Sequence, residues 1–206
     1  MNTKQKGFTL VEIAIVLVIV GLLLGAVLKG QELIFNSKVK ASYNLSRELS
    51  AAIYSYQDRY KQLPGDDTAA ASRFPSASPV PTNGNGDGRI SWGGTCQTGQ
   101  QTGENCRAIY GMRLAGFLTG VGLDPLPFAG GGIATLAEGS TMVPGATTQA
   151  GLGLIANTVS HKMLSAIDTS FDDGNPATGN VRCRGLAAYD LANPDDVFTS
   201  WCMIVQ

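Results

Sequence analysis

From Phe8 to Leu28 the chain runs through 21 residues with a single charge, Glu12. As a helix that stretch is long enough to span a bilayer core of about 30 Å. After Lys29 the pattern turns from continuous to periodic. Leu45, Leu49, Ala52, Ile53, Tyr56 and Tyr60 return at helical spacing, and Lys38, Lys40, Arg47, Glu48, Asp58 and Arg59 fill the other face. This predicts an amphipathic continuation whose apolar stripe covers something, most simply a sheet of the same chain. The pattern ends at Leu63-Pro64-Gly65, because proline disfavours helix in the residue before it and glycine permits a turn. A helix of about fifty residues would be about 75 Å long at 1.5 Å per residue.

Beyond the helix the signals are weaker. Residues 68–103 read as loop, punctuated by Pro75, Pro79 and Pro81. Residues 108–118 predict a short helix with Ile109, Tyr110, Leu114, Phe117 and Leu118 on its apolar side. From Gly120 to Gly153 the chain reads as loops with short strands, such as 132–136. Residues 160–170 predict another helix, with Met163, Leu164 and Ile167 inward and His161 at the surface or capping. Val181 to Cys183 and Phe198 to Val205 read as strands. The fold class expected is α+β: a long N-terminal helix packed on a small antiparallel-sheet head with long loops.

Net charge is −1, with 26 glycines, so no basic surplus points to nucleic acid. There is no Ser-His-acid signal, no H-E-x-x-H, no phosphate-binding loop and no metal set with histidine, so nothing points to an enzyme. The four cysteines, Cys96, Cys106, Cys183 and Cys202, form no C-x-x-C pair. An even count behind a membrane-targeting segment reads as disulfides in an oxidising compartment. Nearest-neighbour pairing, Cys96–Cys106 and Cys183–Cys202, is the choice among three connectivities.

Two segments could hold calcium. Asn83-Gly84-Asn85-Gly86-Asp87-Gly88-Arg89-Ile90 resembles half of an EF-hand loop, but Asn stands for the first Asp and Gly94 for the bidentate Glu. Asp168, Asp172 and Asp173 offer three carboxylates to one hard cation; a solvated turn is the other reading. Apart from such a structural calcium, no cofactor is expected.

The chemistry at the front of the apolar run separates it from a plain signal peptide, whose cleavage site follows its apolar core. Here the small residue, Gly7, precedes the core, directly after Lys4 and Lys6. Glu12 is a carboxylate inside an apolar helix, where charged groups usually have partners. A cut after Gly7 would give Phe8 a new cationic amine, with which Glu12 of a neighbouring copy could pair.

Lys6-Gly7-Phe8-Thr9-Leu10-Val11-Glu12 and the uninterrupted apolar helix resemble the type IV prepilin family, which includes pilins and the pseudopilins of type II secretion. The resemblance covers roughly the first thirty residues. It implies a leader at residues 1–7, a transmembrane and polymerisation helix at 8–30, its amphipathic half at 31–63 and a loop-rich head at 64–206. It implies cleavage between Gly7 and Phe8 by a prepilin peptidase, methylation of the Phe8 amine, and Phe8 and Glu12 setting register between pilin subunits. The other implied partner is an inner-membrane assembly platform. The subunit would wait in the inner membrane with its head in the periplasm, then enter an extracellular pilus or a periplasmic pseudopilus. Where major pilins of the family often carry a proline, this chain has Lys29, with Gly21, Gly25 and Gly30 nearby to loosen the helix. The family reading is thus a pilin, of minor type on this tilt. A pseudopilin is the alternative, and a membrane-tethered binding domain that never polymerises is the rival from another class.

Overall fold

The computed structural model describes residues 9–94, 96–138, 150–155, 159–196 and 201–204. Helix α1 spans Leu10–Tyr60 as one uninterrupted 51-residue helix. Two compact units divide the chain within it, Met1–Lys38 and Val39–Gln206.

In the first unit every residue from Thr9 to Lys29 is exposed. Lys29 and Glu32 form an exposed ion pair one turn beyond the apolar run.

The second unit is built on the rest of α1. Its inward stripe is Val39, Ser42, Ser46, Leu49, Ile53 and Tyr56, spaced alternately three and four residues apart, with Ala52 beside Ile53. That spacing keeps one face inward over nearly five turns. Leu45 and Tyr60, expected on the stripe, are half-buried, and two serines hold central places instead. The helix stops at Tyr60, three residues before the expected end. Lys61 takes a left-handed conformation at φ 57° while its N–H still bonds to the Gln57 carbonyl. That geometry closes a helix by satisfying a last-turn carbonyl, so the stop precedes Pro64.

A four-residue helix, α2 (Ala70–Arg73), interrupts the segment expected to be loop. Helix α3 spans Glu104–Leu114 rather than 108–118. Gly116, at φ 78°, turns the chain out of the helix, and Leu118 is buried from the following loop. Strands β1 (Leu126–Pro127), β2 (Ile133–Glu138) and β3 (Ala150–Ile155) follow. Next come helix α4 (His161–Phe171) and strands β4 (Val181–Cys183) and β5 (Trp201–Ile204). The five strands form one antiparallel sheet in the order β1-β2-β3-β5-β4.

Helix α3 lies on β2 and against α1, where Gly111 faces the Tyr56 ring. At the other end of the head Tyr43 stacks on Phe171 at 3.8 Å between centroids. The core between these contacts includes Leu49, Ile53, Ile90, Met112, Leu136, Leu164, Ile167 and Ile204. This is an α+β fold in which the C-terminal half of α1 is a core element of the head.

Candidate functional site

The chemistry at the start of α1 is local. Thr9 stands at the N-cap and Glu12 three residues on. The Thr9 N–H and the Thr9 hydroxyl both donate to Glu12 Oε2, each at 2.8 Å. The Glu12 N–H in turn donates to Thr9 Oγ1 at 3.3 Å. This is a capping box, in which side chains and backbone satisfy two otherwise orphaned donors reciprocally. The glutamate expected to find its partner on a neighbouring copy therefore has an internal one, and Thr9 is the residue that reading passed over. The T-x-x-E spacing before an apolar run is itself a legible sign of it. Gly7 and Phe8, the expected cleavage junction, lie outside the described residues.

In the head, Asp67 is fully buried and gathers three donors. The Tyr56 hydroxyl and Arg73 Nε donate to its Oδ2 at 2.8 and 2.7 Å, and the Ala69 N–H donates to its Oδ1 at 2.8 Å. Burial, reinforced by the neighbouring Asp67 carboxylate, pushes the Tyr56 phenol far up its range. Hydrogen bonding to Asp67 raises Arg73 as well. The trio joins α1, the turn at 64–69 and α2 into one unit.

The segment with the calcium-loop resemblance folds around a different centre. The Asp66 carboxylate accepts the backbone N–H groups of Gly86, Asp87 and Gly88. Asn83 Oδ1 is spent on the Ala71 N–H, Asn85 Oδ1 on that of Asp87, and Asp87 Oδ1 on that of Arg89. The loop turns N–H donors toward a carboxylate, the polarity that suits an anion. Carboxylate oxygens of Asp66, Asp87 and Glu104 nevertheless converge within 4.8 Å of one another.

Asp168, Asp172 and Asp173 also come together, with ligand atoms within 4.8 Å, which in number and type fits one hard cation. Each carboxylate is engaged by the chain as well. Asp168 accepts the Gly174 N–H at 2.9 Å and the Tyr189 hydroxyl at 2.7 Å. Asp172 Oδ2 accepts the N–H groups of Asn180 and Val181, and Asp173 accepts from Asn175 N–H and the Thr178 hydroxyl. Burial raises the Asp168 carboxyl above the usual range, partly offset by its Tyr189 and Gly174 donors. The turn between α4 and β4 is thus shaped by carboxylates that accept its own N–H groups.

Cys96 is bonded to Cys106 and Cys183 to Cys202. The second pair sits directly opposite across the β4–β5 ladder, and all four sulfur-bearing residues are buried. His161 is buried at the first turn of α4, not at the surface, and its Nδ1 accepts the Asp190 N–H at 3.3 Å. The helix N-terminus is covered by the loop between the last two strands: His161 N–H donates to the Asp196 carbonyl and Lys162 N–H to that of Pro194.

These features define a class: a chain with a membrane-length exposed helix at its N-terminus and a disulfide-tied α+β unit after it. Comparison with known proteins narrows it. The family model of the prokaryotic N-terminal methylation motif matches residues 2–28. The chain is similar to a fimbrial protein of Neisseria meningitidis serogroup B, 37% identical over 71 residues. A second fimbrial protein, from Neisseria meningitidis serogroup A, is 35% identical over 71 residues. Each match covers 34% of this chain and 42% of the relative, so the chain spans less than half the length of these relatives. No solved structure matches the chain. The chain carries the prokaryotic N-terminal methylation motif at residues 2–28 and is similar to fimbrial proteins over about a third of its length.

Proposed function

We propose that the chain is a structural subunit of a type IV pilus or closely related filament, of minor-pilin type. A prepilin peptidase would remove residues 1–7, and the mature helix would hold the chain in the inner membrane with the head in the periplasm. An assembly platform would then move it into a helical bundle, where neighbouring helices replace lipid around residues 8–28. The observation that carries this reading is the coincidence of the methylation motif with a helix exposed at every residue from Thr9 to Lys29. Such an apolar surface needs lipid or other helices around it, and a filament bundle supplies the second.

A pseudopilin of type II secretion would share this N-terminus. Lys29 in place of the expected proline, the long head and the two disulfides favour the pilus-type subunit. The deciding experiment is the mass of the N-terminal peptide from membranes and from sheared filaments. A peptide starting at Phe8 and carrying one extra methyl group supports the reading; an intact Met1, or a cut behind the apolar run, defeats it. Abundance in filaments separates major from minor pilin, and loss of secretion on deletion marks a pseudopilin. Glu12→Ala should insert in the membrane at wild-type levels and be missing from filaments.

Assembly requires no cofactor in this reading. A structural calcium held by Asp168, Asp172 and Asp173 is a separate proposal, supported by the convergence of their oxygens. Melting the head with calcium and with chelator tests it: no difference between the two removes the ion.

A further inference from the structure

We propose that Asn85 is a latent deamidation site, which the Asp66 carboxylate keeps closed by holding the backbone nitrogen that would make the attack. The chain has four bonds in which asparagine or aspartate precedes glycine: Asn83-Gly84, Asn85-Gly86, Asp87-Gly88 and Asp173-Gly174. At such a bond the glycine nitrogen can attack the side-chain carbonyl carbon before it, because no Cβ shields the approach. At Asn85 the bond from Gly86 N to Asn85 Cγ forms and the Cγ–Nδ2 bond breaks. Ammonia leaves, taking up the proton that the Gly86 nitrogen gives. Water then opens the cyclic imide to aspartate or to isoaspartate, in which the main chain runs through the side chain.

The fold needs glycine at all four positions. Gly86, Gly88 and Gly174 stand at φ 76°, 79° and 78°, left-handed backbone that favours glycine, and a Cβ on Gly84 would collide with the Asp66 backbone. Each of these nitrogens is occupied instead. Gly86 N–H donates to Asp66 Oδ1, Gly88 N–H to Asp66 Oδ2 at 2.8 Å, and Gly174 N–H to Asp168 Oδ1 at 2.9 Å. Gly84 N–H donates to the Asp67 carbonyl at 2.9 Å. Attack requires the nitrogen to lose its proton. A carboxylate beside it opposes the negative charge that results, and its hydrogen bond favours the protonated form. The carbon under attack is tied down as well: Asn85 Oδ1 accepts the Asp87 N–H at 3.0 Å, and Asn85 Nδ2 donates to Asp87 Oδ2 at 2.9 Å. Asn85 is exposed and Asp66 is buried, so water reaches the reactive amide but does not compete for the carboxylate that restrains it. Deamidation would add a charge to a loop where oxygens of Asp66, Asp87 and Glu104 already converge within 4.8 Å. Like-charge repulsion would then loosen the loop further.

The test ages the full chain in mild detergent at mildly alkaline pH, disulfides intact, and follows each junction by peptide mapping with mass and retention. Wild type is compared with Asp66→Asn and with a synthetic peptide spanning Thr82 to Ile90. Asp66→Asn keeps the shape, loses the charge and offers one acceptor oxygen to two glycine nitrogens. Its Asn85 should convert about tenfold faster than in wild type, the scale of a lost hydrogen bond to a charged acceptor. Asp173, whose glycine is held by Asp168, should convert at the wild-type rate in the same molecule. Asn85 in the folded wild type should convert at least about tenfold slower than in the peptide. That last comparison needs no variant, and equal rates in chain and peptide overturn the proposal. An unchanged Asn85 rate in Asp66→Asn overturns it, and so does a slower one, which would make Asp66 a base for the reaction. A rise at Asp173 in step with Asn85 assigns the protection to the fold at large and overturns it too.

Discussion

Replacing Tyr56 by phenylalanine probes the join between the long helix and the head. The Tyr56 side chain is fully buried, and its hydroxyl donates at 2.8 Å to Asp67, itself fully buried. The substitution leaves the ring's packing on Tyr60 (4.6 Å between centroids) and beneath Gly111 unchanged. Only the hydrogen bond is lost, and one to a charged acceptor contributes about 1.5–3 kcal/mol. Asp67 keeps Arg73 Nε and the Ala69 N–H, which places the cost near about 2 kcal/mol. For a unit of this size 1 kcal/mol shifts Tm by about 2–4 °C, so Tyr56→Phe should melt about 4–8 °C lower. Asp67→Ala strands three donors, the Tyr56 hydroxyl, Arg73 Nε and the Ala69 N–H, where Tyr56→Phe strands none. Arg73 is 28% exposed and recovers part of its hydration; the cost should still reach about 3 kcal/mol. In the Asp67→Ala background the added Tyr56→Phe change should cost almost nothing, because its acceptor is already gone. The assay is near-UV circular dichroism melting of the full chain in mild detergent, disulfides intact, which follows head packing and not the apolar helix. Tyr56→Phe melting with the wild type, or the two substitutions adding in full, would refute the reasoning.

Ser46 is buried in the α1 stripe and its hydroxyl has no hydrogen-bond partner among the described residues. Ser46→Ala removes that unsatisfied group and should raise Tm by about 2–4 °C, the equivalent of about 1 kcal/mol; a lower Tm counts against it. Gly65 sits at φ +83° with a Cβ position that collides with the Glu104 carbonyl, so Gly65→Ala should cost more than about 2 kcal/mol or abolish folding. Wild-type melting of that variant would mean the approach of the turn at 64–69 to α3 is loose. Asp168 is pushed up by burial, so the folded chain binds this proton more readily than the unfolded one. Wild type therefore gains stability as pH falls from the raised value toward the ordinary carboxylate range near about 3.9, and Asp168→Asn lacks that gain. The Tm difference, wild type minus variant, should move in favour of wild type on acidification; a constant gap, or movement the other way, rejects it.

What could be read from the sequence was what local spacing determines. The residues at 160–171 combine an N-cap serine with apolar positions one helical face apart, and Ser160 Oγ does accept the Met163 N–H. Val181 to Cys183 is a strand with the bounds its alternation predicts. Where tertiary contacts decide, the pattern misleads. Glu104 and Asn105 lie ahead of the helix read at 108–118, yet both are buried and belong to it. Glu104 takes the Ser91 N–H, and Asn105 Nδ2 reaches the Gly94 carbonyl and Thr135 Oγ1. Those bonds draw the start of α3 four residues earlier. Ser42 and Ser46 look polar and occupy the core stripe, since a small side chain lets neighbours approach. Strand β3 alternates glycine with apolar residues and has Ile155 as its one β-branched member, so it carries little of the enrichment that marks strands. His161 looks like a surface residue, because the loop that buries it arrives from thirty residues downstream.

The capping box changes how the N-terminal residues should be weighed. A carboxylate in an apolar helix argues for a partner outside the chain only when none exists inside, and Thr9 supplies one. Glu12 alone therefore does not separate a polymerising subunit from a tethered domain, since any helix start gains from a Thr-x-x-Glu box. Capping asks nothing of Gly7 or Phe8, however, and a plain anchor asks nothing of a glycine ahead of its apolar core. The discriminating chemistry is the junction between those two residues, which is why the mass of the first mature peptide outranks any measurement on the head.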